Sequence, residues 1–389
     1  MNKNAQKFIS ATVFSRFGSV FLLIFFNYYV VKQGNSATFL GSLTSLMYVP
    51  NFFISILSGS MADKYNKRYM LLGLDFISFL CCLLYFMFYN TILTDVKLTF
   101  YMATGILMIL NVIATLYGPI SRSLVPYMVE KENISKYNSI YTMCADSIKF
   151  IVPLVLSVPF ILSLDLGSVF LVNAVSFLIS FMIVLSIKGL SFQMNNATIK
   201  KNNKYSVWSI LRKDKQIFPR IVLLFVFNLT LASFNIFLPF FSNTIDSLIT
   251  YPLYVSVQSV GALVGSILWM FKKNTSNSDV NLIDSILIIP ICFILLFFIQ
   301  TYYVGLFTCF VLGWYSSYFT ISFYTSLQSS EYLSNLGKIL GLVSGVTLIA
   351  TPIGSFISGF IIDVNFHASI LVFSLPICVS VFLNKFFNK

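Results

Sequence analysis

Charge is scarce in this chain: among 389 residues there are 13 acids, 25 bases and a single histidine, His367, so that charged residues make up only 10%. That scarcity removes several classes of function. One histidine leaves no His-based catalytic triad and no multi-His metal site. The acids never gather into a cluster, which argues against a polytopic membrane enzyme working on lipid at one face. No glycine-rich stretch ends in Gly-Lys-Ser or Gly-Lys-Thr, so the chain carries no phosphate loop and ATP is not its own fuel. Six cysteines, Cys81, Cys82, Cys144, Cys292, Cys309 and Cys378, lack metal-ligand spacing and fall mostly in apolar runs, which makes them small buried hydrophobes. No metal and no cofactor is expected.

What the chain has in abundance is apolar length. Hydrophobic residues form 57% of it, and its mean hydropathy of +0.86 leaves too little polar surface to coat a water-soluble globule. Apolar runs fall at 8–31, 37–60, 69–90, 98–119, 136–162, 167–187, 218–243, 252–271, 281–300, 302–325, 337–362 and 366–384. Each is about the 20 residues that a helix needs to cross the hydrocarbon core. The runs are continuous and not alternating, which favours helices over a barrel. The expectation is an all-α integral membrane protein of twelve transmembrane helices. The first run is long and has no small-residue cleavage site, so no cleavable leader is expected.

The excess of bases, a formal net charge of +12, reads as topology and not as affinity for nucleic acid. In an alternating twelve-span arrangement nearly every Lys and Arg falls on one side, with Lys32 and Lys97 on the other beside Asp95, Asp165, Asp246 and Asp363. The positive-inside rule then puts both termini in the cytoplasm. The one long polar interval, 188–217, is a cytoplasmic linker dividing a six-helix bundle at 1–187 from another at 218–389. A weak internal repeat, Ser123-Leu124 after span four and Ser326-Leu327 ending span ten, agrees with two related halves around a midplane site. Prolines inside spans and small-residue steps such as Gly261 to Gly265 permit kinks and close helix approach.

Between spans two and three lies Gly59-Ser60-Met61-Ala62-Asp63-Lys64-Tyr65-Asn66-Lys67-Arg68, a turn in which one acid meets a group of bases. Together with Gly34-Asn35-Ser36-Ala37, Pro50, Asp75, Arg122 with Pro126, Gln328, Gly337-Lys338, Pro352-Ile353-Gly354 and Gly359 to Asp363, it resembles the drug-efflux branch of the major facilitator superfamily that includes the macrolide exporters. The resemblance implies the two-bundle fold of that superfamily and a conformational latch made of Gly59, Asp63, Lys67, Arg68 and Arg122, with Asp63 bonding to neighbouring helix ends and Arg122. Asp63 is expected near the start of span three, with Lys67 and Arg68 against lipid headgroups. Asn66 stands where the pattern usually has glycine, a departure from it, though Asn also tolerates a left-handed turn.

Charged groups inside spans are expensive and are functional candidates by default. Asp146 and Lys149 in span five lie three apart, on one helix face; the pair is read either as a coupling element or as a static ion pair. Arg16 in span one is read either as the partner of Asp75 in span three or as the binding group for an anionic substrate. Substrate-binding candidates are polar or aromatic groups within spans: Asn27, Tyr28 and Asn111 in the first half, and Asn228, Asn235, Gln258, Tyr315 and Tyr318 in the second. Such groups suit a large amphipathic ligand that wants apolar walls and few fixed hydrogen bonds.

The functional expectation is a monomeric multidrug exporter in a bacterial cytoplasmic membrane, working by alternating access against a proton gradient. Its partners are a small-molecule substrate, protons and the lipid bilayer. An exporter of an endogenous siderophore or peptide is the alternative, with a lipid enzyme or a non-transporting sensor behind it.

Overall fold

The computed structural model describes the backbone of residues 3–64, 66–89, 91, 95–128, 134–187, 217–245, 247–271, 286–329 and 336–387, with side chains near several helix ends, including 56–64 and 122–127, outside the description. Among the described residues the chain is helical with no strand. The first half of the chain has α1 (Lys3–Lys32), α2 (Ala37–Lys64), α3 (Lys67–Tyr89), α4 (Val96–Met128), α5 (Ile134–Leu156), the single turn α6 (Pro159–Leu162) and α7 (Leu166–Leu185). The second half has α8 (Ile217–Ile245), α9 (Tyr251–Phe271), α10 (Ile288–Phe298), α11 (Tyr302–Ser329), α12 (Leu336–Val364) and α13 (Phe366–Phe387). Nine of these are long and apolar enough over described residues to cross a bilayer, and α10 and α13 carry shorter apolar stretches.

Helix boundaries follow from capping chemistry. Gly34 ends α1 at φ +75°, the left-handed conformation that glycine tolerates best. Ser36 then opens α2 by accepting from the Phe39 amide at 3.2 Å, Asp95 opens α4 by accepting from the Lys97 amide at 2.9 Å, and Asn365 opens α13 through the Ala368 amide at 2.9 Å. Each side-chain oxygen satisfies an amide that the helix itself leaves unpaired. The expected run at 136–162 is broken: α5 stops at Leu156, and Pro159 begins α6, where its missing N–H costs nothing.

Two compact units emerge, residues 1–34 with 46–195, and residues 35–45 with 196–389. In the first, α1 packs on α7 and α5, and α3 packs on α7 and α4. In the second, α8 packs on α13 and α12, and α10 packs on α13 and α11. With the spans numbered one to six and seven to twelve, these are the same four pairings; the second unit adds an extensive packing of α9 on α11.

The interiors differ in chemistry. Besides hydroxyls, the first unit buries Asn51, Asp75 and Asn173, whereas the buried polar side chains described in the second are all Ser or Thr. The second is packed by rings: Phe227, Phe234, Phe237 and Phe241 share a face of α8 and are each no more than 1% exposed. They meet Tyr315 of α11, Phe293 of α10 and Phe366 of α13 at centroid distances of 5.8, 5.7 and 5.0 Å. Lipid is as apolar as these rings, so their contribution is dispersion and fit more than escape from water. The closest helix approach described runs between α9 and α11, where a Cβ on Gly313 would lie 1.8 Å from the Gln258 carbonyl oxygen. Outward-facing apolar side chains such as Phe53, Phe298 and Phe360 are exposed, as a bilayer-embedded surface requires.

Candidate functional site

The polar heart of the first unit is Asp75. It is 1% exposed within α3, and its carboxylate accepts a 2.8 Å hydrogen bond from the Ser180 hydroxyl of α7. The Tyr117 hydroxyl of α4 is buried beside Ser180 and Thr12 without completing a hydrogen bond to either. Thr12 of α1 turns its own hydroxyl to the Phe8 carbonyl at 3.0 Å. Four helices thus bring together a carboxylate and three hydroxyls, with no cation within ion-pair distance of the acid among the described residues.

Arg16 does not supply that cation. Its Nη2 donates to the Tyr141 hydroxyl of α5 at 2.9 Å, and its guanidinium carbon lies 5.2 Å from the centroid of the same ring. Of the two readings of Arg16, the pair with Asp75 does not form: α5 takes the arginine and α7 takes the acid. The other charged pair does form, with Lys149 Nζ 3.0 Å from Asp146 Oδ1. Its side chains are 62% and 34% exposed, so it lies at the unit's surface and not in its core.

Around the turn between α2 and α3 the structure specifies three details. Asp63 has its backbone in the last turn of α2, not at the start of α3. Asn66 adopts no left-handed conformation; its side chain caps α3 by accepting from the Arg68 amide at 3.1 Å. Arg68 Nη2 donates to the Leu185 carbonyl at 2.9 Å, and Lys7 Nζ reaches the Ser186 carbonyl at 3.1 Å. Two bases from α1 and α3 thus close the C-terminus of α7, where the helix dipole favours positive charge. Lys67 is half-buried at the first position of α3. The side chains of Gly59, Asp63 and Arg122 lie outside the described residues.

A second carboxylate-to-helix contact was not foreseen. Asp363, at the end of α12, accepts from the Ala37 amide at 2.9 Å and the Thr38 amide at 2.8 Å. These are the first two N–H groups of α2, within the second unit. Glycine makes the contact possible: Gly359 lies where a Cβ would be 2.5 Å from the Ala37 carbonyl oxygen, and Gly41 where one would be 2.3 Å from that of Ser355.

The candidate ligand groups differ in exposure and in bonding. Tyr28 is buried, with Lys32 Nζ 5.5 Å above its ring, and Asn27 beside it in α1 is half-buried. Asn111 and Asn228 spend their amide N–H on the carbonyl one turn back in their own helices, Leu107 at 2.9 Å and Leu224 at 2.8 Å. Asn235 is exposed, Gln258 half-buried and Tyr315 buried. Tyr315 and Tyr318 are neighbours, with centroids 6.4 Å apart. Of the cysteines, Cys82, Cys292 and Cys309 are buried while Cys378 is exposed. His367 Nδ1 lies 2.6 Å from Gln300 Nε2.

Residues 8–332 match the family profile described as the Major Facilitator Superfamily. No curated protein sequence matches the chain. Among solved structures, the nucleoside transporter NupG superimposes with a TM-score of 0.71 at 16% identity, covering 100% of this chain and 99% of that one. A bacterial homologue of the iron transporter ferroportin, in an inward-facing state, gives 0.73 at 12% identity, covering 100% and 99%. A D-xylose-proton symporter gives 0.69 at 14% identity, covering 99% and 97%. At such identities the likeness is one of fold.

Proposed function

Because the chain belongs to the major facilitator superfamily, and is therefore a membrane transporter and not an enzyme, we propose that it exports hydrophobic or amphipathic small molecules from a bacterial cell by proton-coupled alternating access. Bundles at 1–187 and 218–389, joined by a linker at 188–217, rock about a midplane site. Both termini and the turn around Asp63 face the cytoplasm of the inner membrane, as the distribution of bases argues. The protein acts as a monomer, and its cargo resembles that of the macrolide exporters. Asp63, in the turn that also carries Gly59, Lys67 and Arg68, latches the outward-open state by engaging neighbouring helix ends and Arg122.

The observation that carries proton coupling is the setting of Asp75. A carboxylate that is 1% exposed and held by a single neutral hydroxyl is costly when charged. Taking up and releasing a proton there changes the cost of burying it, and so favours one packing of α3 against α7 over another. Asp146 and Lys149, exposed and paired with each other, fit the static reading. The amphipathic cargo would use the aromatic pair Tyr315 and Tyr318 together with the remaining polar candidates.

The test is accumulation of labelled macrolide, ethidium and a siderophore in cells with and without the protein, with and without an uncoupler. Lower macrolide and ethidium levels that rise on uncoupling are expected, and Asp75→Asn should abolish the difference while inserting normally. Equal accumulation of all three with and without the protein would defeat the export reading. Loss of siderophore alone would favour the endogenous-product exporter.

A further inference from the structure

We infer that Arg16 and Tyr141 form a docking point for an anionic head group, so that the cargo of this transporter includes amphipathic anions; the inference rests on the export reading above. Arg16 lies near the middle of the 30-residue α1, about 20 Å along the helix axis from either end. That is too far for its side chain to reach a headgroup region by snorkelling alone, since the helix is only about half as long again as the hydrocarbon core is thick. A guanidinium at this depth needs compensation.

Among the described residues no acid lies at ion-pair distance from Arg16. Asp75 of α3 is engaged by Ser180 of α7, and Asp146 of α5 is engaged by Lys149. What faces the guanidinium instead is a neutral phenol, accepting at 2.9 Å. Arginine carries five N–H donors in a planar fork suited to carboxylate or phosphate oxygens. The Tyr141 hydroxyl occupies one of these donors as a neutral acceptor would. An anionic oxygen makes a bond roughly twice as strong as a neutral one, so it displaces the phenol.

The surroundings match the other end of an amphiphile. A crevice between α1 and α5, closed in this structure to anything the size of a water molecule, runs past Arg16 and Tyr141 and is walled by Ile9, Thr12, Val13, Cys144, Ala145 and Ile148. One cation at the head of an apolar cleft selects a molecule with one anionic group and a hydrocarbon body. Tyr141, released from Arg16, swings aside to admit it.

Cys144 in the crevice wall supplies a local reporter. Purified protein in lipid nanodiscs is treated with N-ethylmaleimide, and Cys144 modification is followed by peptide mass spectrometry in the presence of dodecanoate, dodecanol or dodecyltrimethylammonium, which share a tail and differ in head charge. Dodecanoate should slow Cys144 modification at concentrations at least tenfold below the other two. Arg16→Gln should erase that preference. Arg16→Lys, which keeps the charge and loses the fork, should retain the preference with several-fold weaker protection, and it carries the test if the Gln variant does not insert. Tyr141→Phe should protect at least as well as the wild type. Equal protection by all three amphiphiles in the wild type, or dodecanoate protection within twofold of wild type in Arg16→Gln, overturns the inference. Charge-selective protection without flux of dodecanoate, macrolide or ethidium in proteoliposomes overturns the export reading and leaves this site standing.

Discussion

Replacing Gly313 by alanine tests whether the seam between α9 and α11 is held by backbone contact. A methyl group there would sit 1.8 Å from the Gln258 carbonyl oxygen and 3.1 Å from the Ala262 amide nitrogen, and both are backbone atoms that no rotamer change can move. Ordinary contact begins near 3.4 Å, so α11 must back away by roughly 1.5 Å at that point. From the other side, a Cβ built on Gly261 or Gly265 would lie 2.1 Å from the Phe310 carbonyl oxygen or 2.2 Å from that of Trp314, so the retreat loosens three contacts together. Overpacking of this kind costs about 1–3 kcal/mol, against a gain of at most about 1 kcal/mol from the better helix propensity of alanine. Gly313→Ala should therefore destabilise by about 1–2 kcal/mol. Gly105 in α4 and Gly73 in α3 have nothing within 4 Å of a built Cβ, so Gly105→Ala and Gly73→Ala should be neutral or stabilising. Thermal unfolding in detergent, followed with a thiol-reactive dye that reports exposure of the buried Cys309, compares the signs directly. A Gly313→Ala variant that melts at or above the wild type would refute the backbone-contact reasoning.

Asp363→Ala removes two charge-assisted bonds to the first amides of α2 and should lower stability by about 1–2 kcal/mol in the same melt, the usual size of a lost N-cap; Asp363→Asn, which keeps an acceptor, should recover about half, and equal losses would show that the cap is not the cause. Asp146→Ala should change stability by less than about 0.5 kcal/mol and leave uncoupler-sensitive efflux intact, because an exposed ion pair is worth little. Loss of efflux in that variant would return the coupling role to span five.

Much of the fold was legible because bilayer thickness sets a length that the sequence shows plainly. The spans at 37–60 and 98–119 correspond to α2 and α4, and the polar turns between spans fall where Gly34 and Asp95 end one helix or begin the next. Periodicity also put Asp146 and Lys149 on one face, and they meet at 3.0 Å. Spacing within a helix reports which face a residue occupies, not which helix will be opposite. That is why a pairing of Arg16 with Asp75 stood as one of two readings, when Tyr141 and Ser180 had claimed them. Ser180, Thr12 and Tyr117 carry no sequence signal, being hydroxyls scattered through apolar runs. Arg68 was expected at headgroups because positive charge at a helix end is normally solvated; the free carbonyls of α7 are a partner visible only once α3 and α7 are packed. Asp363 stood out only as an acid beside the membrane, since its role depends on a helix that begins some 325 positions earlier in the chain.

The two units share four helix pairings but have unlike interiors, and that sets how freely each can drift. In the first, a substitution that adds a polar group near Asp75, Ser180 and Tyr117 finds partners already in place, so new binding or protonation chemistry has somewhere to begin. In the second, where the buried polar side chains described are Ser and Thr and rings fill the rest, an added amide or carboxylate meets at most a scattered hydroxyl among hydrocarbon and backbone carbonyls. A pair of halves alike in outline is then unequal in prospects: directed evolution of cargo or coupling should collect its gains in the first six spans, while the last six admit changes of size and shape.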